Sequence, residues 1–161
     1  MAKLAVGFYK PRVPDDKAGT KPIPAPVLLL QNSAGNLVDV RQFKGKVVFV
    51  NFWAVWCPPC LAELPSVDNL HSRFKNDPNI VFIMVDIDNN LPRASKMLAG
   101  RGYDLPVYAT PTNKPAGQFS PESIPTTLVI DKEGNLAFNE RHTANYNDDK
   151  FAAFLEQLTK K

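Results

Sequence analysis

Cysteine is scarce in this sequence: its 161 residues contain two, Cys57 and Cys60. A disulfide-stapled scaffold is therefore excluded, because such frameworks need several pairs. A four-ligand zinc site is excluded too, since the chain has no second cysteine pair and no nearby histidine cluster to complete one. Long apolar runs are equally missing. The long uncharged stretch from Val47 to Ala62 is interrupted by Asn51 and by Pro58-Pro59, which rules out a membrane-spanning helix there. The apolar stretch Leu4 to Tyr9 is shorter than a signal-peptide core, and no small-residue cleavage site follows it. Charge of one sign is nowhere concentrated. The 19 basic and 16 acidic residues are intermingled, the net charge is +3, and no run of five like charges occurs. Nothing in that pattern fits a nucleic-acid tail or a membrane-surface arm.

What is present fits one globular domain. Hydrophobic residues make up 44% of the chain and charged residues 22%, the ordinary balance for a protein with a packed core. Five of the 15 prolines fall in the first 26 residues, so residues 1–24 read as an extended lead-in or tether and residues 25–161 as the domain. Val27 to Gln31 and Leu37 to Val40 flank a loop of hairpin-turn residues, Asn32 to Asn36, and predict a short β-hairpin. Lys46 to Trp53 and Asn79 to Asp86 read as strands buried on both faces.

Between those strands, Leu61, Leu64, Val67, Leu70 and Phe74 recur at helical spacing, with Pro65 expected to kink the helix. Ala94, Met97 and Leu98 mark an extra helix after this βαβ unit, ended by Gly100 or Gly102. A proline-punctuated loop leads to strands at Thr126 to Asp131 and Leu136 to Asn139. A last helix follows, capped from Asn147 to Asp149, with Phe151, Phe154, Leu155 and Leu158 on its buried face. The order predicts an α/β fold, a central sheet covered by helices on both faces.

The chemistry concentrates at Cys57-Pro58-Pro59-Cys60, placed between a buried strand and a helix. Residues at i and i+3 share a helix face, so the two thiols can form a tight disulfide. At a helix N-terminus the free N–H groups and the dipole favour a thiolate, which makes Cys57 the nucleophile and Cys60, one turn inward, the resolving thiol. The competing readings, half a zinc site or inert core thiols, do not need this strand-to-helix position. Glu63 lies three residues beyond Cys60, on an adjoining part of the same helix. By itself it also reads as a solvated glutamate near a helix start. His71 and His142 read as structural residues, and Asp86 and Asp88 as the end of a strand.

Residues 50 to 65, Val-Asn-Phe-Trp-Ala-Val-Trp-Cys-Pro-Pro-Cys-Leu-Ala-Glu-Leu-Pro, resemble the active-site segment of the thioredoxin superfamily. With Phe43-Lys44-Gly45-Lys46 and Ile124-Pro125-Thr126-Thr127-Leu128-Val129-Ile130-Asp131, the similarity covers about Ala25 to Lys161. It is greatest to the TlpA/ResA/DsbE-like branch of extracytoplasmic thiol-disulfide oxidoreductases. The resemblance implies a thioredoxin-like fold with a central mixed sheet flanked by helices. It implies a cis peptide bond at Ile124-Pro125 facing the disulfide, where without it an ordinary trans proline would be expected. It implies a partly buried Glu63 that supplies the proton-transfer group which Asn51, an amide in the place of thioredoxin's buried acid, cannot supply. Trp56, Pro58, Ile124 and Pro125 become the residues expected to bind substrate, with Trp53 shielding the disulfide from the core side.

The function expected is dithiol-disulfide exchange, in the reducing direction, on protein clients. Two alternatives stand beside it. A peroxiredoxin-like peroxidase would need a Thr-x-x-Cys approach, and Val55-Trp56 precede Cys57 instead. A non-catalytic thioredoxin-fold binding module would not need an accessible Cys57. No metal, nucleotide or flavin is expected, the redox-active disulfide being the only prosthetic feature. The partners expected are protein disulfide or dithiol clients and a membrane thiol-disulfide carrier as electron donor, for a monomer that works in the periplasm or elsewhere outside the cytoplasm. An export signal or anchor ahead of these residues is part of that expectation, as is a place in cytochrome c maturation.

Overall fold

The computed structural model describes residues 9–15, 19–113 and 117–161. Seven strands and three helices follow one another as β1 (Leu29–Gln31), β2 (Leu37–Asp39), β3 (Val47–Trp53), α1 (Pro58–Phe74), β4 (Ile80–Asp86), α2 (Leu91–Gly100), β5 (Val107–Ala109), β6 (Thr126–Ile130), β7 (Leu136–Glu140) and α3 (Asp149–Lys160). They form one mixed sheet in the order β2-β1-β5-β4-β3-β6-β7. The expected α/β architecture and hairpin are present. Strand β5 was not visible in the sequence, and because it runs parallel to β4, α2 is the crossover of a second βαβ unit as well as an insertion after the first.

Strand β3 is central, parallel to β4 on one side and antiparallel to β6 on the other. All seven of its residues are buried, as a run that is apolar but for Asn51 requires. The pleat sends Val47, Phe49 and Trp53 to one face, where they meet Leu64, Val67 and Leu70 of α1 and Phe151 and Leu155 of α3. Val48, Val50 and Phe52 go to the other, against Leu28, Leu30 and Val40. Ala94 and Leu98, the buried residues of α2, belong with the first group. The sequence reading put helices on both faces. Instead, the chain flanking the hairpin, with Phe119 against Phe52, closes the second.

Aromatic rings dominate the first face. Phe49 lies 5.0 Å from Phe82, 5.5 Å from Tyr146 and 6.3 Å from Phe151 between ring centres, the last two edge-on, an arrangement that adds to the area term of burial. Helix α1 continues through Pro65, whose exposed ring sits inside one uninterrupted element. Asp148 caps α3 by accepting the Phe151 N–H.

The lead-in is laid against the domain where it is described. The Tyr9 carbonyl accepts the Asn145 N–H at 2.7 Å, its hydroxyl bonds Glu140, Lys10 pairs with Asp148, and Val13 packs on the core. Farther on, the Ile23 carbonyl accepts the Leu136 N–H. The apolar stretch from Leu4, up to residue 8, and residues 16–18 of the lead-in lie outside the described residues. Among the described residues no helix is long and apolar enough to cross a membrane.

Candidate active site

The buried strand β3 ends at Trp53, and a short turn brings the chain to Cys57, the N-cap of α1. The Cys57 N–H bonds back to the Ala54 carbonyl at 3.2 Å. Pro58 and Pro59 occupy the first helical positions, where proline's missing N–H costs nothing and its fixed φ suits the helix. Cys57 and Cys60 form a disulfide with Cα atoms 5.3 Å apart. The Cys60 N–H points at the Cys57 sulfur, 3.3 Å away. That is the contact a thiolate at this place would use, reinforced by the positive end of the helix dipole.

Both cysteines are buried in the disulfide state, Cys57 with 4% and Cys60 with 2% of its surface exposed. That difference does not single out the nucleophile. The helix-end position of Cys57 and the N–H aimed at its sulfur are the features that set the two apart. Trp53 is fully buried, whereas Trp56 keeps 60% of its surface exposed, alongside exposed Pro58 and Pro59.

Glu63 is the unusual residue. It sits one turn beyond Cys60 on α1 with 1% of its surface exposed. Its Oε1 accepts the Asn51 side-chain amide at 2.7 Å and its Oε2 accepts the Ala144 N–H at 2.9 Å. Burial pushes its pKa from 4.5 up to about 8. The Ala144 and Asn51 donors pull the other way, favouring the carboxylate, and the Glu140 charge adds to the rise. Asn51 also donates to the Thr127 hydroxyl at 2.9 Å. The Asn51 amide therefore orients the Glu63 carboxyl and ties β3, β6 and α1 together at one point.

Pro125 is reached by the strand register. Thr126, the first residue of β6, pairs with Phe52, so Ile124 and Pro125 lie at the edge where β3 hands over to Cys57. The Ile124-Pro125 peptide bond is cis, as the resemblance implied. Pro125 is buried, and half-buried Ile124 packs against the cluster that contains both cysteines. Behind this edge, burial and then the Glu63 charge push the wholly buried Tyr146 phenol well above its ordinary value.

Other candidate residues fall into place away from the chemistry. His71 packs edge-on against Phe82, and burial lowers its pKa. His142 is exposed. Among the described residues no group of three or more potential metal ligands comes together. A cavity of about 260 Å³ opens at the far end of the sheet, lined by Leu28, Val40, Val48 and Ile130, and neither cysteine borders it. Asp86 builds the loop after β4, its two oxygens accepting the Asp88 and Asn90 N–H groups. Asp88, which reads from the sequence only as the end of a strand, accepts the Trp56 indole N–H at 2.7 Å. A partner 32 positions away leaves no mark in local spacing.

A central strand that hands a disulfide to a helix N-terminus, with a cis-proline loop on the neighbouring antiparallel strand, makes this chain a thioredoxin-like thiol-disulfide oxidoreductase. The family model described as Redoxin matches residues 13–155, and the chain belongs to that family, within the TlpA/ResA/DsbE-like branch of the thioredoxin superfamily. It is 27% identical over 135 residues to the thiol-disulfide oxidoreductase ResA of Bacillus anthracis, covering 84% of this chain and 76% of that one. ResA of Halalkalibacterium halodurans is 24% identical over 130 residues, covering 81% and 72%.

Among solved structures, a putative thiol:disulfide interchange protein DsbE from Chlorobium tepidum superposes with a TM-score of 0.70 at 22% identity, over 88% of this chain and 99% of that one. A secreted thiol-disulfide isomerase from Corynebacterium glutamicum does so with a TM-score of 0.69 at 22% identity, over 96% and 99%. At that identity the two structures attest the fold alone.

Proposed function

We propose that the protein reduces disulfides in protein clients through the Cys57-Cys60 dithiol, with Glu63 as the proton-transfer group. The observation that carries this reading is the placing of a deeply buried carboxyl, held by Asn51 and Ala144, one helical turn beyond Cys60. In the reduced protein the Cys57 thiolate attacks a client disulfide, forming a mixed disulfide and releasing one client thiolate. The Cys60 thiol gives its proton to the Glu63 carboxylate, and the Cys60 sulfur then attacks Cys57. The second client sulfur leaves as a thiolate, and two electrons have passed from the dithiol to the client. A carboxyl with a pKa of about 8 is well matched to accept and return a proton near neutral pH.

Trp56, Pro58, Ile124 and Pro125 form the client-binding edge in this reading. The exposure of Trp56 and Pro58 beside Cys57 supports it, as does the strand register that brings Ile124 to the same edge. An extended client segment would lie across these residues, adding its backbone beside the start of β6. The setting proposed is outside the cytoplasm, on the strength of the family resemblance. A membrane thiol-disulfide carrier would return electrons to the Cys57-Cys60 disulfide, and cytochrome c maturation is the proposed pathway.

Dithiothreitol-driven reduction of a protein disulfide, run beside a redox titration against glutathione, tests the proposal. The expected result is turnover that needs both cysteines and a potential towards about −270 mV, as in reductants. A potential near about −120 mV would mark an oxidant and overturn the direction of transfer.

A further inference from the structure

The connection from β7 to α3 has no regular secondary structure, yet it carries one of the two N–H groups that Glu63 accepts. Its backbone donors alternate in direction. On the inner side the Ala144 N–H bonds Glu63 Oε2 at 2.9 Å, and the Tyr146 N–H bonds Ser66 Oγ at 3.0 Å. On the outer side the Asn145 N–H, between them, bonds the Tyr9 carbonyl at 2.7 Å. A strand between two neighbours shares its donors in this way. Here one neighbour is α1 and the other is the lead-in.

The lead-in also fastens both ends of the connection. The Tyr9 hydroxyl donates to Glu140 Oε2 at 3.1 Å, where β7 ends, and Lys10 Nζ lies 3.7 Å from Asp148 Oδ1, where α3 is capped. Lys10 is 73% exposed, so its ion pair adds little to the hold. Burial supplies more. Pro11 is buried, and Val13 packs on the cluster that contains Ala144, Tyr146 and both cysteines.

We propose that residues 9–13 of the lead-in are a positioning strap, which presses the Ala144–Tyr146 strip onto α1 and so keeps the Glu63 carboxyl sealed from water. The inference rests on the reading of Glu63 as the proton-transfer group, and adds to it what keeps that group dry. The groups that face Glu63 are the Asn51 amide from β3, the Ala144 N–H and the Tyr146 phenol from the connection, and the Glu140 charge from β7. The lead-in brings Lys10, which is turned to Asp148, and the Tyr9 phenol, which is bonded to Glu140. Burial is the largest influence on the Glu63 pKa, and the Glu140 charge adds to it against the two donors. Releasing the strap lets water reach the carboxyl, take the place of the Ala144 donor and screen Glu140. Lost burial outweighs one exchanged donor, so the pKa falls from about 8 towards 4.5.

The test is made in the full chain with Val13→Asp, which puts a charge where the lead-in packs on the core and so releases it, and with Val13→Ile, which keeps the packing. Amide exchange at Asn145 reports whether the strap is in place. Carbon-13 NMR titration of the Glu63 carboxyl in the oxidised proteins reports what the strap does. In wild type and Val13→Ile the Asn145 amide is expected to be protected and Glu63 to titrate near pH 8. In Val13→Asp exchange at Asn145 should quicken about tenfold or more, and the Glu63 midpoint should fall by about one pH unit, with the rising limb of client reduction following it. A merely structural role would lower stability and leave the midpoint of the folded protein where it was. If Val13→Asp does not fold, Pro11→Gly combined with Val13→Gly releases the strap without burying a charge and is read in the same way. An Asn145 amide that quickens while the Glu63 midpoint stays or rises would overturn the inference and leave the proposed function standing. An Asn145 amide that does not quicken would overturn it too, since the lead-in would not be what holds the connection. If Glu63→Gln kept the wild-type rising limb, the proposed function would fall, and this inference with it.

Discussion

Replacing Glu63 by glutamine changes one charge state and almost no volume, and its consequence for stability can be worked from the site. The folded-state pKa of Glu63 is about 8 against 4.5 for the free side chain. Below about pH 4.5 the group is protonated in both states and burial costs no charge. As pH rises the unfolded chain ionises first, so it is stabilised relative to the folded protein, and stability is lost progressively until the folded carboxyl ionises near pH 8. One pH unit in that window corresponds to about 1.4 kcal/mol, so the full cost is on the order of 5 kcal/mol for a group this deeply buried.

Glutamine does not titrate, although its NH2 must face one of the two donors, Asn51 or Ala144, and so loses one hydrogen bond at every pH. The expected outcome is a pH-independent offset plus a changed slope. Between about pH 5 and 8 the wild type loses stability relative to Glu63→Gln by about 1 kcal/mol per unit or somewhat more. Urea denaturation of the oxidised proteins across that range measures it, since the disulfide keeps both thiols from titrating. Parallel curves for the two proteins would refute the buried-carboxyl reasoning.

Asn51→Ala should move the Glu63 pKa above about 8, since it removes one of the two donors that favour the carboxylate. The rising limb of the pH profile for client reduction, where Glu63 ionises to the carboxylate that accepts the Cys60 proton, should shift to higher pH, and a shift towards acid would contradict the role given to Asn51. Phe49→Ala should destabilise the protein by about 3–5 kcal/mol, the usual range for deleting a buried ring, because Phe49 contacts Phe82, Tyr146 and Phe151 at once. A loss below about 1 kcal/mol in urea denaturation would show that the core closes around the gap.

The elements with a strong local signature were legible. A run from Val47 to Trp53 that is β-branched or aromatic at every position but Asn51 can hardly be satisfied except in the middle of a sheet, and the Cys-x-x-Cys that follows it announces both the helix start and the chemistry. Strand β5 was hidden because three residues, Val107–Ala109, are too few to show a period, and prolines crowd the segment around them. The covering of the second sheet face depends on Leu28, Leu30 and Val40, which are apolar residues of the hairpin with no helical spacing to declare their purpose. At the site, the position of Glu63 was readable from helix geometry, but the depth of its burial was not. That depth is set by Ala144 and Tyr146, about 80 residues further along, whose backbone N–H groups bond Glu63 and Ser66. The Trp56-Asp88 bond was invisible for the same reason, since it joins two loops that only the completed sheet brings together.

The division of labour between the two cysteines is the central claim, and the direct measurement is covalent trapping. Reduced wild type, Cys57→Ser and Cys60→Ser are each incubated with a disulfide-bearing client, and the disulfide-linked adducts are resolved on a non-reducing gel. The account predicts that Cys60→Ser accumulates a mixed disulfide through Cys57, while Cys57→Ser accumulates none, because Cys60 lacks the helix-end contacts of Cys57. Adducts formed by Cys57→Ser and not by Cys60→Ser would reverse the two roles and contradict the account.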